Sequence, residues 1–359
     1  MSRRGASARG ARAGGEARGG EVRAGDEAGG ARGWRLEKAG EGRALLRALG
    51  PTSAAELLRD ATGSKRSAAR VLAEGRASMA GAALRPSDAL RAGDVVEVAW
   101  GAAAAGGARP AATSAAGPEA GRAATDRAAG HAAPDLVVLW EDPFALAAEK
   151  PAGLIVHSDG TGAGTLADRV RAYLAAEGSP AAGAAQPLQR LDEQTTGVVL
   201  FSKAPDFQPA FDELVAGHAM GKRYLAVVRG RLVGGPFALT GPIARDRHDA
   251  RRMRVGATGK PSLTRVLPVE CKGAATLVGC ELGSGRRHQI RVHLADAGHP
   301  ILGDALYGGG AGPLMLHALE ESFAHPVTGE RVRVRAPWPG RFLPAFPERE
   351  VDWDALRRL

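Results

Sequence analysis

The chain has 359 residues, a hydrophobic content of 44% and a formal net charge of +9, and its length allows two domains with tails. Its two cysteines provide neither a disulfide framework nor a zinc-binding pattern, and no apolar run reaches the roughly 18 residues of a membrane span. The N-terminus lacks the apolar core of a signal peptide, so we expect a cytoplasmic protein; because the basic excess is spread along the chain, net charge alone is weak evidence for nucleic-acid binding.

The first 34 residues are mainly glycine, alanine and arginine. Before Trp34, the only large apolar residues are Met1 and Val22. Such a segment cannot bury enough surface to offset the entropy lost on ordering. We therefore expect residues 1–34 to form a disordered, mildly basic tail.

Residues 35–100 have the composition of a small α+β domain. Residues 44–49 and 54–61 predict two short helical pieces. A basic helix follows, because Ser64 can cap its N-terminus and Gly75 can end it. The basic side chains expected close to one face of this helix are Lys65, Arg66 and Arg70.

A strand pair with a turn at Ala80 and Gly81, and a hairpin arm over residues 90–98, complete this domain. The KRS pattern at residues 65–67, this turn and the LRAGD pattern at residues 90–94 resemble an S4-type RNA-binding domain, although that family usually has asparagine at the position of Ala80. The resemblance implies that Lys65, Arg66 and Arg70 bind RNA. The alternative is a generic module whose basic helix face is solvated.

Residues 101–134 are alanine, glycine, proline and threonine with few charges. This composition is typical of a linker, and its length predicts that the domains on either side move independently.

Residues 135–345 predict a second domain, in which many strands are separated by few helices. This order indicates an α+β fold with a mixed, mostly antiparallel sheet rather than a doubly wound fold. Residues 346–359 are expected to be a C-terminal tail. Strands are predicted at residues 135–148 (two strands and a turn), 150–157 (a turn into a short strand), 198–201, 222–228, 264–269 and 275–282, helices at 165–177, 207–219 and after Gly285, and a last helix or strand pair at 314–323 and 332–336.

A polar loop around Asp192 runs into the apolar strand at residues 198–201. A carboxylate at such a junction is held by a rigid sheet and can face a cleft, where catalytic groups are often found. A lone aspartate in a turn more often bonds its own loop backbone, so the rest of the chain must decide between the two readings.

Residues 241–259 form a polar excursion that is rich in arginine. It is either solvated or a strip that contacts RNA, and the sequence favours neither. The arginines of this excursion are Arg245, Arg247, Arg251, Arg252 and Arg254.

Four motifs in order resemble the RluA-type pseudouridine synthases. They are KPAGLIVH at residues 150–157, RLDEQTTG at 190–197, KRY at 222–224, and GRRHQIRVH at 285–293 running on to GHPILGD at 298–304. The resemblance covers about residues 136–345 and implies the pseudouridine synthase type of catalytic domain, with an S4-like domain before it as in the members that modify large-subunit rRNA.

The resemblance also implies roles for individual residues. Asp192 matches the catalytic aspartate, Tyr224 the tyrosine that stacks on the target base, Arg291 the arginine paired with the catalytic carboxylate, and Arg190 the one that helps to displace the uridine. Arg286, His288 and Gln289 belong to the last motif and are expected to bind RNA. The chain departs from the family pattern at three flanking positions, where Gln189 replaces histidine, Thr196 replaces serine and Arg287 replaces threonine.

The sequence therefore predicts a cofactor-independent enzyme that isomerises uridine in RNA, with 23S rRNA favoured and tRNA as the alternative substrate. We expect a monomer with no metal and no membrane partner. His288, His293 and His299 have spacings of five and six, which do not place a metal-binding pair on one helix face.

Two other functions remain open at this point. One is an RNA-binding ribosome assembly factor with an inactive catalytic domain. The other is a hydrolase that uses Asp192 and Glu193 as a carboxylate pair, although neighbours on one extended segment face opposite ways.

Overall fold

The computed structural model describes residues 32–40, 42–101, 136–158, 160 and 164–359. The predicted tail up to residue 31 and nearly all of the predicted linker lie outside these ranges. Gly33–Leu359 forms one compact unit by its contacts. Within the described residues, no helix has both the length and the apolar character needed to cross a bilayer.

The N-terminal module, residues 33–101, is a small antiparallel sheet packed on two helices. Its five-stranded sheet has the order β1-β2-β7-β4-β5, and β3 pairs with β6. The elements are β1 (Trp34–Gly40), β2 (Arg43–Ala48), β3 (Thr52–Ser53), α1 (Ala54–Thr62), α2 (Lys65–Ala73), β4 (Ala77–Met79), β5 (Ala82–Ala83), β6 (Ala89–Leu90) and β7 (Val95–Ala99).

Local sequence explains where both helices begin. Ser53 and Glu56 form a reciprocal capping box at the start of α1, and Ser64 accepts a hydrogen bond from the Ser67 backbone at the start of α2. Gly63 ends α1 in the left-handed conformation with φ 70°.

The helix predicted at residues 44–49 is wrong, because most of this segment belongs to strand β2. Ala44, Leu46 and Ala48 are buried whereas Arg43 and Arg47 lie on the other face, so the segment alternates with the period of a strand. The run of alanine and leucine has high helix propensity, but pairing with β1 and β7 overrides it. Trp34, which the predicted boundary assigned to the tail, is 2% exposed and begins β1.

The C-terminal part, from residue 136 to residue 359, is built on a ten-stranded mixed sheet of order β13-β16-β17-β12-β18-β11-β9-β8, with β10 beside β11 and β19 beside β18. All of these pairs are antiparallel except β11 with β18. The predicted α+β architecture is thus confirmed. The strands are β8 (Val137–Glu141), β9 (Ala145–Lys150), β10 (Gln186–Pro187), β11 (Thr196–Ser202), β12 (Gly221–Arg229), β13 (Phe237–Leu239), β16 (Thr264–Lys272), β17 (Ala275–Leu282), β18 (Leu316–Ala324) and β19 (Arg331–Arg335).

Among the described residues, three α-helices accompany the sheet, α3 (Leu166–Ala176), α4 (Gln208–Ala216) and α5 (Gln289–Asp296). The arginine-rich excursion contains the hairpin β14 (Ile243–Arg245) with β15 (Met253–Val255). The strand predicted within residues 150–157 is absent, and this described segment is a turn and loop.

The C-terminal segment 346–359, which the sequence predicted to be a tail, is packed against the rest of the protein. Phe346 is 1% exposed and Leu356 is fully buried, and the last residues form a 3₁₀ helix, Trp353–Arg358. The guanidinium of Arg223 on β12 lies 5.0 Å from the centre of the Trp353 ring, so the segment covers one face of the sheet.

The N-terminal module and the C-terminal part share a hydrophobic core, which differs from the expected pair of independently moving domains. Trp100 lies against Phe144 and Phe207, with ring centres 5.5 and 5.6 Å away. All three rings are fully buried. The composition of the segment at residues 101–134 indicates how easily that segment bends. It does not show whether apolar surfaces of the two parts that it connects pack against each other.

A buried carboxylate reinforces this junction. Asp206, 2% exposed, accepts hydrogen bonds from Arg70 and Arg76 of the N-terminal module. The Arg70 Nη2 to Asp206 Oδ1 distance is 2.7 Å, and Arg76 also donates to the carbonyl of Ala99. Arg70, predicted to bind RNA, therefore has a structural partner across the junction.

We predict that Asp206→Asn lowers the free energy of unfolding by about 3 kcal/mol, because it leaves two arginines without their shared charge partner. Chemical denaturation followed by fluorescence measures this change, and Asp212→Asn on the exposed face of α4 is the matched control. Equal midpoints for the two variants would contradict the proposed strength of the junction.

Candidate active site

The loop that carries Asp192 is fixed by the strand that follows it. Gly197, in β11, has φ 113°, and a Cβ atom there would lie 2.0 Å from the carbonyl oxygen of Ala318 on β18. Only glycine permits this close parallel contact. The loop before Gly197 is consequently held against the middle of the sheet, with the Thr195 backbone N–H bonded to the Asp192 carbonyl at 3.0 Å.

Lys150 holds the same loop from the opposite side. Its side chain is fully buried, and Nζ donates to the carbonyls of Pro151, Leu154 and Glu193 at 2.9, 2.6 and 2.7 Å. All three donors of the ammonium group are therefore used. Burial lowers the pKa of Lys150 to about 8, against the opposing influence of Asp192 and Glu193.

Arg291 on α5 connects two carboxylates. Its Nη1 lies 2.9 Å from Oδ2 of Asp192, while Nε and Nη2 form a bidentate pair with Asp304 at 2.7 and 2.9 Å. Burial works against the charged form, but the hydrogen bonds and charges of Asp304 and Asp192 outweigh it, so the pKa of Arg291 is raised. The arginine is thus fixed as a cation beside Asp192.

Asp304, the last residue of the GHPILGD stretch, is the second partner of Arg291. It is 1% exposed and also accepts hydrogen bonds from the backbone N–H groups of Leu306 and Tyr307. A buried carboxylate is retained only when it is paired and hydrogen-bonded. Asp304 therefore fixes the plane of the Arg291 guanidinium, which in turn orients Asp192.

His288 and Tyr307 close the other side of the Asp192 carboxylate. His288 Nε2 lies 3.7 Å from Oδ1 of Asp192, and Nδ1 lies 2.9 Å from the Tyr307 hydroxyl. The Tyr307 ring also faces the guanidinium of Arg291, whose carbon is 5.2 Å from the ring centre. The side chain of Asp192 remains 26% exposed, so one part of it can meet a substrate.

Tyr224 lies on β12 within an apolar cluster that includes Leu191, the neighbour of Asp192. The tyrosine is 8% exposed, and burial raises the pKa of its hydroxyl, to which the charges of Glu321 and Asp192 add. Tyr224 therefore contributes a neutral, largely buried ring beside the Asp192 loop.

Most of the other residues predicted to bind RNA are at least partly exposed, and one is buried. Lys65, Arg66 and Arg190 are exposed, and Arg286 is half-buried and donates to the carbonyl of Pro261 at 3.3 Å. Gln289 differs from the prediction.

Gln289 is 3% exposed, and its side chain is satisfied inside the protein. It donates to the carbonyl of Leu263 and the hydroxyl of Thr264, and it accepts from Ser284 and the backbone of Arg286. An amide with two donors and two acceptor positions filled has none left for RNA. Gln289 instead fixes the start of α5, which carries Arg291.

Sequence reasoning missed the functions of Lys150, Asp304 and Tyr307. Lys150 and Asp304 stood inside the quoted motifs, but no pattern of spacing shows that a lysine is buried against three carbonyls. Tyr307 lies three residues after Asp304, and it could have been found from its rarity, since the chain has only three tyrosines.

The fold defined by this mixed sheet is that of the pseudouridine synthases. Residues 145–296 match the family of RNA pseudouridylate synthases. The solved structure of human RNA pseudouridylate synthase domain containing 1 superposes with a TM-score of 0.51 at 23% identity, over 64% of this chain and 98% of that chain.

Curated relatives give the more specific assignment. An uncharacterized RNA pseudouridine synthase of Bacillus subtilis is 36% identical over 211 residues, which cover 57% of this chain and 69% of that protein. Ribosomal large subunit pseudouridine synthase D of Xanthomonas campestris is 39% identical over 231 residues, covering 58% of this chain and 69% of that protein. The chain belongs to the RluA-type family of RNA pseudouridine synthases, isomerases that convert uridine in RNA to pseudouridine.

Glu321 is a buried carboxylate whose charge acts on Tyr224, and it yields a prediction about how stability depends on pH. Glu321 is 1% exposed, it accepts a hydrogen bond from the Gln189 amide, and its Oε2 has no hydrogen-bond partner among the residues described. Burial raises the pKa of Glu321 from 4.5 to about 7, although Lys222 and Gln189 oppose the shift. The folded protein thus keeps a proton that the unfolded chain loses between these pH values.

We therefore predict that the free energy of unfolding falls as pH rises from about 4.5 to about 7, and that Glu321→Gln removes this dependence. The variant should be more stable than wild type above pH 7 by up to about 3 kcal/mol, the equivalent of the pKa shift. Urea denaturation at a series of pH values measures it, with Glu213→Gln on exposed α4 as the control. A parallel pH dependence in the Glu321 variant would show that another group is responsible.

Proposed function

We propose that this enzyme modifies uridines of 23S ribosomal RNA and that Asp192 is its catalytic carboxylate. The observation that carries the proposal is the partly exposed Asp192 side chain bound through Oδ2 to the buried cation Arg291. The guanidinium of Arg291 donates to this oxygen at 2.9 Å and so orients the carboxylate. With an rRNA substrate, we expect the protein to act in the cytoplasm.

The reaction breaks the bond between N1 of uracil and C1′ of the ribose, turns the uracil, and forms a bond between C5 and C1′. A stacked base cannot be reached, so the nucleotide must leave the stack, which costs a few kcal/mol. Asp192 acts either as a nucleophile at C1′ or as a base at C2′. The uracil returns to the same ribose, C5 loses its hydrogen as the new bond forms, and N1 gains one, so the nucleotide keeps its composition.

Three side chains are proposed to assist Asp192. Tyr224 presents its ring to the uracil, and a stacked base contributes about 1–3 kcal/mol to binding. Arg190 is exposed beside the loop and can fill the vacated stack or bind phosphate. Arg291 donates a hydrogen bond to the Asp192 carboxylate and thereby orients it.

We propose that RNA also contacts the N-terminal module through the exposed face of α2. Lys65 and Arg66 are exposed there, whereas Arg70 is bound to Asp206 and contributes less to RNA binding. The preference for 23S rRNA is supported by the S4-like pattern and by relatives named as ribosomal large subunit synthases C and D. We propose a monomer as the active form.

The first test maps pseudouridine in rRNA by carbodiimide treatment and primer extension, in cells that lack the protein. Complementation with wild type should restore the missing stops, while Asp192→Asn should not. Glu193→Gln, the exposed neighbouring carboxylate, is the matched control and should restore them. An unchanged rRNA map would redirect the search to tRNA, and unchanged maps of both would favour the inactive RNA-binding function; release of free uracil would indicate a hydrolase.

The proposed stacking role of Tyr224 predicts different effects on activity and affinity. Tyr224→Leu keeps the apolar cluster filled but removes the aromatic face, so we expect at least a tenfold loss of kcat and a smaller loss of RNA affinity, because the other RNA contacts remain. Tyr224→Phe retains the ring and should keep most activity. Steady-state kinetics and filter binding separate the two quantities, and equal losses of activity and affinity in the leucine variant would refute stacking on the target base.

A further inference from the structure

His288 adopts a backbone conformation that is unusual for a residue with a side chain. It has φ 55° and ψ 21°, in the left-handed region, at the start of α5. Its side chain makes no capping hydrogen bond to that helix. Strained positions of this kind persist where the surrounding structure fixes them, often at functional sites. The imidazole ring is therefore placed for contacts outside the helix.

The Tyr307 hydroxyl lies within hydrogen-bond distance of one ring nitrogen of His288. The backbone N–H of Met253 donates to this hydroxyl at 2.7 Å, and His288 Nδ1 lies 2.9 Å from it. A backbone N–H can only donate, so the hydroxyl accepts there and its own hydrogen is free to point at Nδ1. If the hydroxyl donates in this way, Nδ1 is the acceptor and the proton of the neutral imidazole lies on Nε2, which faces the Asp192 oxygen Oδ1, itself able only to accept.

The Tyr307 ring is itself held on its faces and edge. The guanidinium carbons of Arg252 and Arg291 lie 5.4 and 5.2 Å from the ring centre, and the His288 ring meets it edge to face at an interplanar angle of 86°. The hydroxyl therefore has little freedom to choose another partner.

The two oxygens of Asp192 face different groups. Oδ2 is bound by Arg291 at 2.9 Å, whereas Oδ1 lies 3.7 Å from Nε2 of His288. A separation of 3.7 Å is longer than a hydrogen bond, and catalytic contacts commonly shorten when substrate binds. We propose that His288, fixed by Tyr307 with its proton on Nε2, is a positioning residue that donates to Oδ1 of Asp192 in the RNA complex.

The electrostatic surroundings agree with a neutral donor. Burial lowers the pKa of His288 to about 4, and the charges of Arg291 and Arg287 act in the same direction, while Asp192 and Asp304 oppose them. A neutral ring supplies an N–H to Asp192 without adding a second positive charge beside Arg291. This role rests on the proposed function of Asp192 and concerns the orientation of its carboxylate.

The tautomer can be read directly by ¹⁵N NMR of histidine-labelled full-length protein. Comparison with His288→Asn assigns the signal among the nine histidines. At pH 7.5 we expect the shift of an unprotonated nitrogen at Nδ1 and of a protonated nitrogen at Nε2. Tyr307→Phe should convert this signal to a mixture of tautomers, while Tyr173→Phe, the same change on α3, should leave it unaltered.

Two substitutions at position 288 separate a donor at Nε2 from a structural role. Glutamine can place an amide N–H near the position of Nε2, whereas asparagine reproduces only the position of Nδ1 and is well tolerated at positive φ. We expect His288→Gln to stay within about threefold of wild-type kcat. His288→Asn and Tyr307→Phe should each lose about tenfold, as for one lost hydrogen bond, with KM nearly unchanged.

A protonated Nδ1, a charged imidazole at pH 7.5, or equal losses in the glutamine and asparagine variants would overturn the proposal. A wild-type protein that modifies no RNA would instead refute the proposed function. In that case the NMR signals would still decide whether Tyr307 fixes the tautomer.

Discussion

The site depends on one buried cation held between two carboxylates. Asp304 fixes the guanidinium of Arg291 through two hydrogen bonds, and the remaining Nη1 binds Asp192. Removing Asp304 would leave a buried arginine with one partner, and removing Arg291 would leave two acidic groups unpaired, both of which are strongly unfavourable. The orientation of Asp192 is therefore a property of the packing around α5 as much as of its own loop.

Much of the fold could be predicted because short apolar runs, such as those within residues 198–201 and 222–228, indicate buried strands, and turns carry glycine. The capped helices at Ser64 and Thr165 and the strands around Tyr224 and Thr276 all lie near their predicted positions. Residues 44–49 failed because alanine and leucine favour a helix when a peptide stands alone, and only pairing with two neighbouring strands makes this segment extended.

The site was predicted in part. Motif resemblance put Asp192 and Arg291 together, and the structure places them 2.9 Å apart. The other contacts depend on burial. Gln289 is buried with four hydrogen-bond partners, Arg70 is paired with Asp206, and Lys150 donates to three backbone carbonyls. These assignments depend on which polar groups meet in three dimensions, and a linear pattern of residue types does not contain that information.

The junction formed by Trp100, Phe144, Phe207 and Asp206 changes what the N-terminal module can contribute to recognition. A binding domain on a flexible tether raises the effective concentration of its ligand over a broad range of positions. A domain fixed to the catalytic sheet instead raises the effective concentration of its ligand only at one distance from the active site. An RNA held at α2 would then offer Asp192 only those uridines that lie at one fixed span from the contact, so the enzyme could measure distance as well as read a local sequence.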